Sequence, residues 1–382
     1  MFLARATGIP DRDAEALDQR LVDFILAKLA PITSARDKIF LPLSAGGLGF
    51  ASVAEIACRA FAASWYKALP KVAGTLMPHE EVVAVISASR WISTIAKSCD
   101  DILGASLGEG GVLGDKAGNI SQRQLMQQFH EVKVTKMSHN SDLDARAARR
   151  SAAGKGAGTW LHAPHSSRQE LSNQQLKIAT LTRLHEDIPG CTGACQHKHP
   201  DGRICGEPLH AKGTHSAACR VGGWRVRKHN AAVRCLAGWC EQRNAEVQLE
   251  QHVPQANANC EARLDLIVRH DNLKEVARVD VTIVNATVTE YLKRGSASAD
   301  GVAARAAERS KRTKYSGVRI VPFVVEEHGR LGEDALKLVR RLAPTDPAER
   351  SRAIAELYQD LGSIIRRLSA DAILTSMGRA VG

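Results

Sequence analysis

The sequence predicts a multidomain chain of mixed α+β or α/β class, with a helical N-terminal half, a small Cys/His-rich segment and a compact α/β core. Three observations predict it. Apolar residues recur at helical spacing through the first half, cysteines and histidines crowd between residues 191 and 219, and short Val/Ile/Leu-rich runs in the last third bracket an Ala- and charge-rich helix. At 382 residues there is room for two or three domains. The expected segments are 1–75, helical; 76–185, helical with flexible linkers; 186–245, the Cys/His segment and a basic helix; 246–345, the α/β core; and 346–382, a C-terminal helix.

In the first half, Asp13 to Ala30 carries Leu17, Leu21, Phe24, Ile25 and Leu29 on one helical face and is followed by Pro31, and Ala51 to Leu69 is a second such segment. No catalytic cluster appears there. Residues 104–118 and 138–158 are small, polar and charge-rich, and are expected to be flexible connections. Gly154 to Leu161 lacks the Gly-Lys-Ser/Thr ending of a phosphate loop and a preceding strand, so it reads as a linker whose Trp160 and Leu161 dock the helix Leu171 to Leu184.

Next comes a ligand-rich stretch. Cys195, Cys205, His215 and Cys219 can close a tetrahedral zinc site, His215 and Cys219 being four apart so that one helical turn aims both at one point. Cys191 competes with Cys195 for the first position. Such closed Cys/His sites are structural rather than catalytic.

The core begins with two apolar runs, Arg263-Leu264-Asp265 opening the first and Val279-Asp280-Val281-Thr282-Ile283 forming the second, with Asp271-Asn272 between them as a turn. A reversal centred near Asn272-Leu273 sets Asp265 roughly opposite Asp280, and alternation puts Arg278, Asp280 and Thr282 on one face. One Asp at a strand end usually just meets solvent. Two within apolar runs ask for a cation or a basic partner, because burying an ionised carboxylate alone costs several kcal/mol. A hard ion such as Mg²⁺ suits them. Gly301 to Tyr315 follows as a helix, with Ser298 to Asp300 as its expected cap and Lys311 and Lys314 on a shared face. By composition alone such a helix is a solvated basic surface. A third apolar run, Gly317 to Val325, contains Pro322, which suits an edge strand.

Together, Asp265, Asp280, Lys311, Lys314 and Tyr315 resemble the restriction-like endonuclease domain that follows the polymerase in one branch of non-LTR retrotransposon reverse transcriptases. That family's pattern is an Asp usually preceded by Pro, a spacer of about a dozen residues or slightly more, a second Asp on a strand, and a helix ending in Lys-Tyr; here the spacer is 266–279 and Leu264 replaces Pro. Thr282 stands where ordinary PD-(D/E)xK enzymes carry lysine, so weight falls on the helix lysines. The resemblance implies a PD-(D/E)xK-type core in which Asp265 and Asp280 bind Mg²⁺ and Lys311 or Lys314 positions water or the scissile phosphate, Lys314 lying nearer the sheet. Glu246 or Glu250 is a candidate third carboxylate. The family also carries a Cys-Cys-His-Cys zinc knuckle just before the nuclease, like Cys195, Cys205, His215 and Cys219, and Leu41 to Phe50 is similar to its segment after the polymerase thumb. The chain is therefore expected to be the C-terminal portion of such a protein. The aromatic-Ala-Asp-Asp palm motif is absent, Cys99-Asp100-Asp101 having the wrong context, so no reverse transcriptase activity is expected.

Composition fits a DNA partner, with element RNA and the polymerase portion as further partners. Lys+Arg exceed Asp+Glu by 52 to 41, net +11, and such an excess attracts phosphate through counterion release. Arg225, Arg227 and Lys228 after the knuckle and Arg305, Arg309 and Arg312 beside the lysines are the candidate contacts. Aromatic residues are only 4%, leaving few stacking platforms for single strands. The 9 cysteines, an odd number without pairing pattern, point to a reducing, intracellular setting, expected to be the nucleus. No run is long and apolar enough for a membrane span. Two function classes result: a Mg²⁺-dependent target-site nicking enzyme, or a nucleic-acid-binding remnant with a decayed nuclease core.

Overall fold

The computed structural model describes residues 11–29, 36–75, 121–252 and 263–380, together with Pro78, Glu81 and Ala84. In chain order the described elements are α1 (Asp11–Leu29), α2 (Arg36–Phe40), α3 (Val53–Thr75), α4 (Gln122–His139), α5 (Leu143–Ala152), α6 (Asn173–Leu184), α7 (Thr214–Ala218), α8 (Trp224–Glu241), β1 (Glu246–His252), β2 (Arg263–Arg269), β3 (Ala277–Val284), α9 (Thr289–Lys293), α10 (Val302–Lys314), β4 (Val321–Glu326), α11 (Glu333–Leu342) and α12 (Pro347–Ser376). They form two compact units, Met1–Lys28 with Gly49–Ser141, and Leu29–Leu48 with Asp142–Gly382.

The first unit is helical. Buried Asp18 on α1 accepts from Ser52 Oγ and Val53 N, both at 2.6 Å, which satisfies the open N–H groups at the start of α3. Glu55 and Lys133 pair at 2.7 Å, and Arg59 lies 3.4 Å from the Phe129 ring, so α3 and α4 are joined by charge as well as apolar contact.

The second unit is a mixed α/β structure around a four-stranded sheet of order β1-β2-β3-β4. β1/β2 and β2/β3 are antiparallel and β3/β4 parallel. A parallel neighbour requires a crossover, and α9 and α10 provide it. Val279 and Val281 of β3 join Leu266, Val268, Phe323 and Val325 in the main core, closed by Leu236 of α8, Leu338 of α11 and Ile365 of α12. The other face packs Val284 and Val324 against Ala303, Ala304 and Ala307, small side chains that let α10 lie close to the strands. Pro322 falls on the edge strand β4.

Several local expectations need correction. The start of α10 is capped by no side chain: Gly301, at φ 67, makes the turn that a side chain would strain, while Asp300 pairs with Arg150 at 2.8 Å and Arg330 at 3.2 Å. Of residues 138–158, the part within the second unit, 142–158, is packed rather than loose. It holds all of α5, whose Ala147, Ala148 and Ala152 are buried, and Gly156 lies so close to Tyr358 that a Cβ would stand 2.1 Å from its ring. Small residues there permit close packing rather than freedom. Trp160 is buried against Gly362 of α12, the C-terminal helix, instead of simply docking α6. The stretch 104–118 lies outside the described residues.

α12 runs across this unit. Trp239 Nε1 of α8 donates to the Ala353 carbonyl at 2.9 Å near one end, and Ser376 Oγ meets Ser216 Oγ of α7 at 2.7 Å at the other. Among the described residues, no helix is long and apolar enough to cross a membrane.

Candidate functional site

Two constellations stand in the second unit. The first is built on a tight hairpin: Cys195 N donates to Glu207 O at 2.8 Å, Gly206 N returns to Cys195 O at 3.0 Å, and His199 N meets Arg203 O at 2.8 Å. Gly206, at φ 71, turns the chain beside Cys205 in a conformation costly for other residues. Gly213 opens α7, which carries His215 and delivers Cys219 one residue past its end. The ligand atoms of Cys195, Cys205, His215 and Cys219 all lie within 4.8 Å of one another, a cluster that could hold a metal such as zinc. Its edges fit. Cys205 Sγ is 3.6 Å from His215 Nε2 and 3.7 Å from Cys219 Sγ, and tetrahedral zinc with Zn–S near 2.3 Å and Zn–N near 2.0–2.1 Å requires about 3.5 Å and 3.8 Å. Burial pushes the Cys195 thiol up to about 12 and raises Cys219, so a cation is what would make thiolates here. Cys191 stands apart, its buried thiol donating to His210 O at 3.3 Å. Cys195 is thus the first member of the cluster. No disulfide joins the described cysteines.

The knuckle is fixed to the rest of the unit by its own backbone and a histidine. Gln196 N donates to Ser376 O at 2.9 Å, and the buried His197 ring donates from Nε2 to Ala372 O at 2.8 Å.

The second constellation lies where the sheet opens. β2 and β3 pair through Leu266–Val279, and one further step places Asp265 opposite Asp280, where the ladder stops. Asp265 Oδ2 takes over from the missing main-chain partner, accepting from Val281 N at 2.7 Å. Tyr315, only 1% exposed, reaches between the separated strands, its hydroxyl 2.8 Å from Asp280 Oδ1 and 2.9 Å from the Arg263 carbonyl. Asp280 is itself buried, and Lys311 Nζ lies 2.6 Å from its Oδ2. That approach has ion-pair distance without hydrogen-bond alignment, so charge attraction is its main content.

Here the two lysines separate. Lys311, in the last turn of α10, and Tyr315, at its C-cap, are four apart and share the face turned to Asp280, whereas exposed Lys314 meets the Tyr315 hydroxyl at 3.3 Å, with its ammonium 4.9 Å from the ring. The expectation that Lys314 is the lysine set closer to the sheet end needs correction: Lys311 is the one that reaches β3, at Asp280. Glu246 and Glu250, the candidates for a third carboxylate, sit on β1, are exposed, and pair with Arg269 and Arg263, so they add none.

His229 is the residue that motif reading missed. Its Nε2 lies 3.2 Å from both Asp265 Oδ2 and the Val281 carbonyl, and its Nδ1 lies 3.1 Å from Asn230 Oδ1. Nε2 faces two acceptors, so it carries a proton and donates toward Asp265 and the Val281 carbonyl. The Asp265 hydrogen bond, opposed by burial, raises His229 to about 9. Its neighbour Lys228 corrects a sequence expectation. Instead of facing phosphate it is buried, with Nζ 2.8 Å from Glu327 Oε1 and 3.1 Å from Ser369 Oγ. Burial would raise the Glu327 carboxyl, but Lys228 and Arg366 hold it below its ordinary value. The apolar face Trp224, Ala232 and Leu236 at four-residue spacing includes position 228, and that signal outweighs a charged residue's usual exposure.

Of the other basic candidates, Arg225, Arg227 and Arg309 are exposed and Arg305 is half-buried. Arg227 stacks 4.8 Å from Trp224, and Arg312 is taken up by Asp334. No protein-family model matches the chain, and no curated protein matches it.

Proposed function

We propose that this chain is a Mg²⁺-dependent DNA endonuclease that nicks a target site, the C-terminal part of a non-LTR retrotransposon reverse transcriptase-like protein of the restriction-like-endonuclease branch. One observation carries the reading. Asp265 and Asp280 are adjacent across the opened end of the sheet, with Lys311 and the Tyr315 hydroxyl both on Asp280. The donor set suits a hard cation: two carboxylates, with Asp280 Oδ2 buried and making no hydrogen bond. When bound, such an ion polarises the phosphodiester and lowers the pKa of a water. Tyr315 orients Asp280 and holds the strands apart. Lys311, whose ammonium lies on Asp280 Oδ2, is placed to meet the phosphate or orient water. His229 fixes Asp265 from the opposite side. Element RNA, the polymerase portion and a nuclear setting belong to the same proposal.

One observation favours the second reading, a binding remnant with a decayed core: each carboxylate already has a basic partner, Lys311 on Asp280 and His229 on Asp265. A plasmid-nicking assay separates the two. The enzyme converts supercoiled plasmid to nicked circle with Mg²⁺ and not with EDTA, and Asp280→Ala stops it; a parent that binds plasmid yet never nicks it under saturating Mg²⁺ is the remnant.

A further inference from the structure

A groove of about 1140 Å³ lies between the β2–β3 turn, segment 315–321 and α11. Its wall includes Tyr315, the residue that holds Asp280. Arg278 also lines it and shares a β3 face with Asp280, two residues away, about 6.7 Å at strand rise.

The groove is positive. Lys274, Arg278 and Arg341 line it with no ion-pair partner among the described residues. Its two acids are spent on other bases, Glu275 on Arg319 at 3.4 Å and Asp334 on Arg312 and Lys337. Three cations are thus left over for a ligand. The lining contains one aromatic residue, Tyr315, and that ring is only 1% exposed. Single-strand binding sites stack bases on exposed rings, and nothing in this groove can do so. Cations without stacking platforms track a phosphate backbone, the part of a duplex that faces outward.

We infer that this groove seats the sugar-phosphate backbone of a DNA duplex on one side of the cut. The inference rests on the endonuclease reading for its position, while its chemistry is binding alone. None of its three unpaired cations belongs to the carboxylate site.

The test measures binding of the full chain to a DNA duplex of about 25 base pairs in EDTA, by fluorescence anisotropy across a salt series. Lys274→Glu/Arg278→Glu/Arg341→Glu should bind about 10-fold more weakly or worse near 0.1 M salt, and its log K against log[salt] slope should flatten by roughly 2–3, nearly one per lost phosphate contact. The control is Arg12→Glu/Arg20→Glu/Lys28→Glu, exposed positions of α1 with the same charge change; its slope should stay close to the parent's. Thermal melts confirm folding, and the triple Ala version replaces the reversal if that one does not fold. Parental binding by the groove triple, an equal loss in both triples, or tighter groove-dependent binding of single-stranded DNA or an RNA duplex overturns the inference. A parent that binds through the groove but never nicks retains the groove and loses the endonuclease. A parent that nicks with Mg²⁺ while the groove triple binds unchanged does the reverse.

Discussion

The Cys195–Cys219 cluster and the Asp265–Asp280 pair belong to one unit, yet they are neutralised in opposite ways. Around the cluster, sulfur and imidazole converge, and burial keeps Cys195 and Cys219 protonated unless a cation arrives. Around the acidic pair, Lys311, Tyr315, His229 and the Val281 amide already occupy the carboxylates. A bound metal would therefore organise the first and would only exchange with internal partners at the second. Shape and ion would then be inseparable at the cluster and separable at the sheet.

The largest expected effect follows from that inseparability. Purified protein should contain about one zinc per chain, and Cys219→Ser or strong chelation should release it, with metal-coupled folding energy on the order of 10 kcal/mol at stake. Hydrogen exchange should rise over 191–219 and over the end of α12, which Gln196, His197 and Ser216 hold, while β2 and β3 stay protected. Metal analysis showing no zinc in folded protein prepared without chelator would dissolve the contrast between the two centres.

At the sheet, Asp280→Ala should leave the fold intact and reduce nicking by about 10³-fold, while DNA binding is kept or improved because a negative charge near phosphate has gone. Loss of binding by a folded variant would make Asp280 a structural residue. Smaller again is the lysine pair. Lys311→Ala should lower the nicking rate by about 10²-fold and Lys314→Ala by less than about 10-fold, the scale of a positioned group against a peripheral one. Equal rates for both single variants, matching the parent, would reduce the helix to basic surface.

The smallest effect is a pH dependence measured without divalent metal. His229 is raised in the folded protein, so the stability it contributes is complete below its ordinary value near 6.5 and is lost as pH rises through about 9. For a pair partly open to solvent that loss is about 1–2 kcal/mol. Melting temperature should fall across that window, and His229→Gln should flatten the fall; an unchanged slope would remove His229 from the account of how Asp265 is held.

Much of this was readable in the residues and some was not. Asp265 and Asp280 stood out because carboxylates inside apolar runs need a partner, and the turn at Asp271-Asn272 set their register. The Cys/His cluster stood out because His215 and Cys219 fit one helical turn beside a glycine-rich hairpin. His229 did not, because it comes from α8, a separate helix of the same unit, and only tertiary packing brings it to Asp265. Lys228 was misread because charge suggested exposure while its apolar neighbours on α8 required burial. Residues 142–158 were misread for a related reason: Ala and Gly lower apparent hydrophobicity in a loop and in a close helix contact alike. Whether Lys311 or Lys314 faces the sheet depended on Tyr315, whose inward direction fixes the azimuth of the preceding turn.

α12 has a mechanical consequence. Its contacts at Ala353 with α8 and at Ser376 with the knuckle are separated by 23 residues of continuous helix, about 35 Å at 1.5 Å per residue. One unbroken rod thus joins the Cys195–Cys219 loop to the far end of α8, so loosening Ser376 would be felt at Trp239 through a single stiff element rather than through a relay of separate contacts.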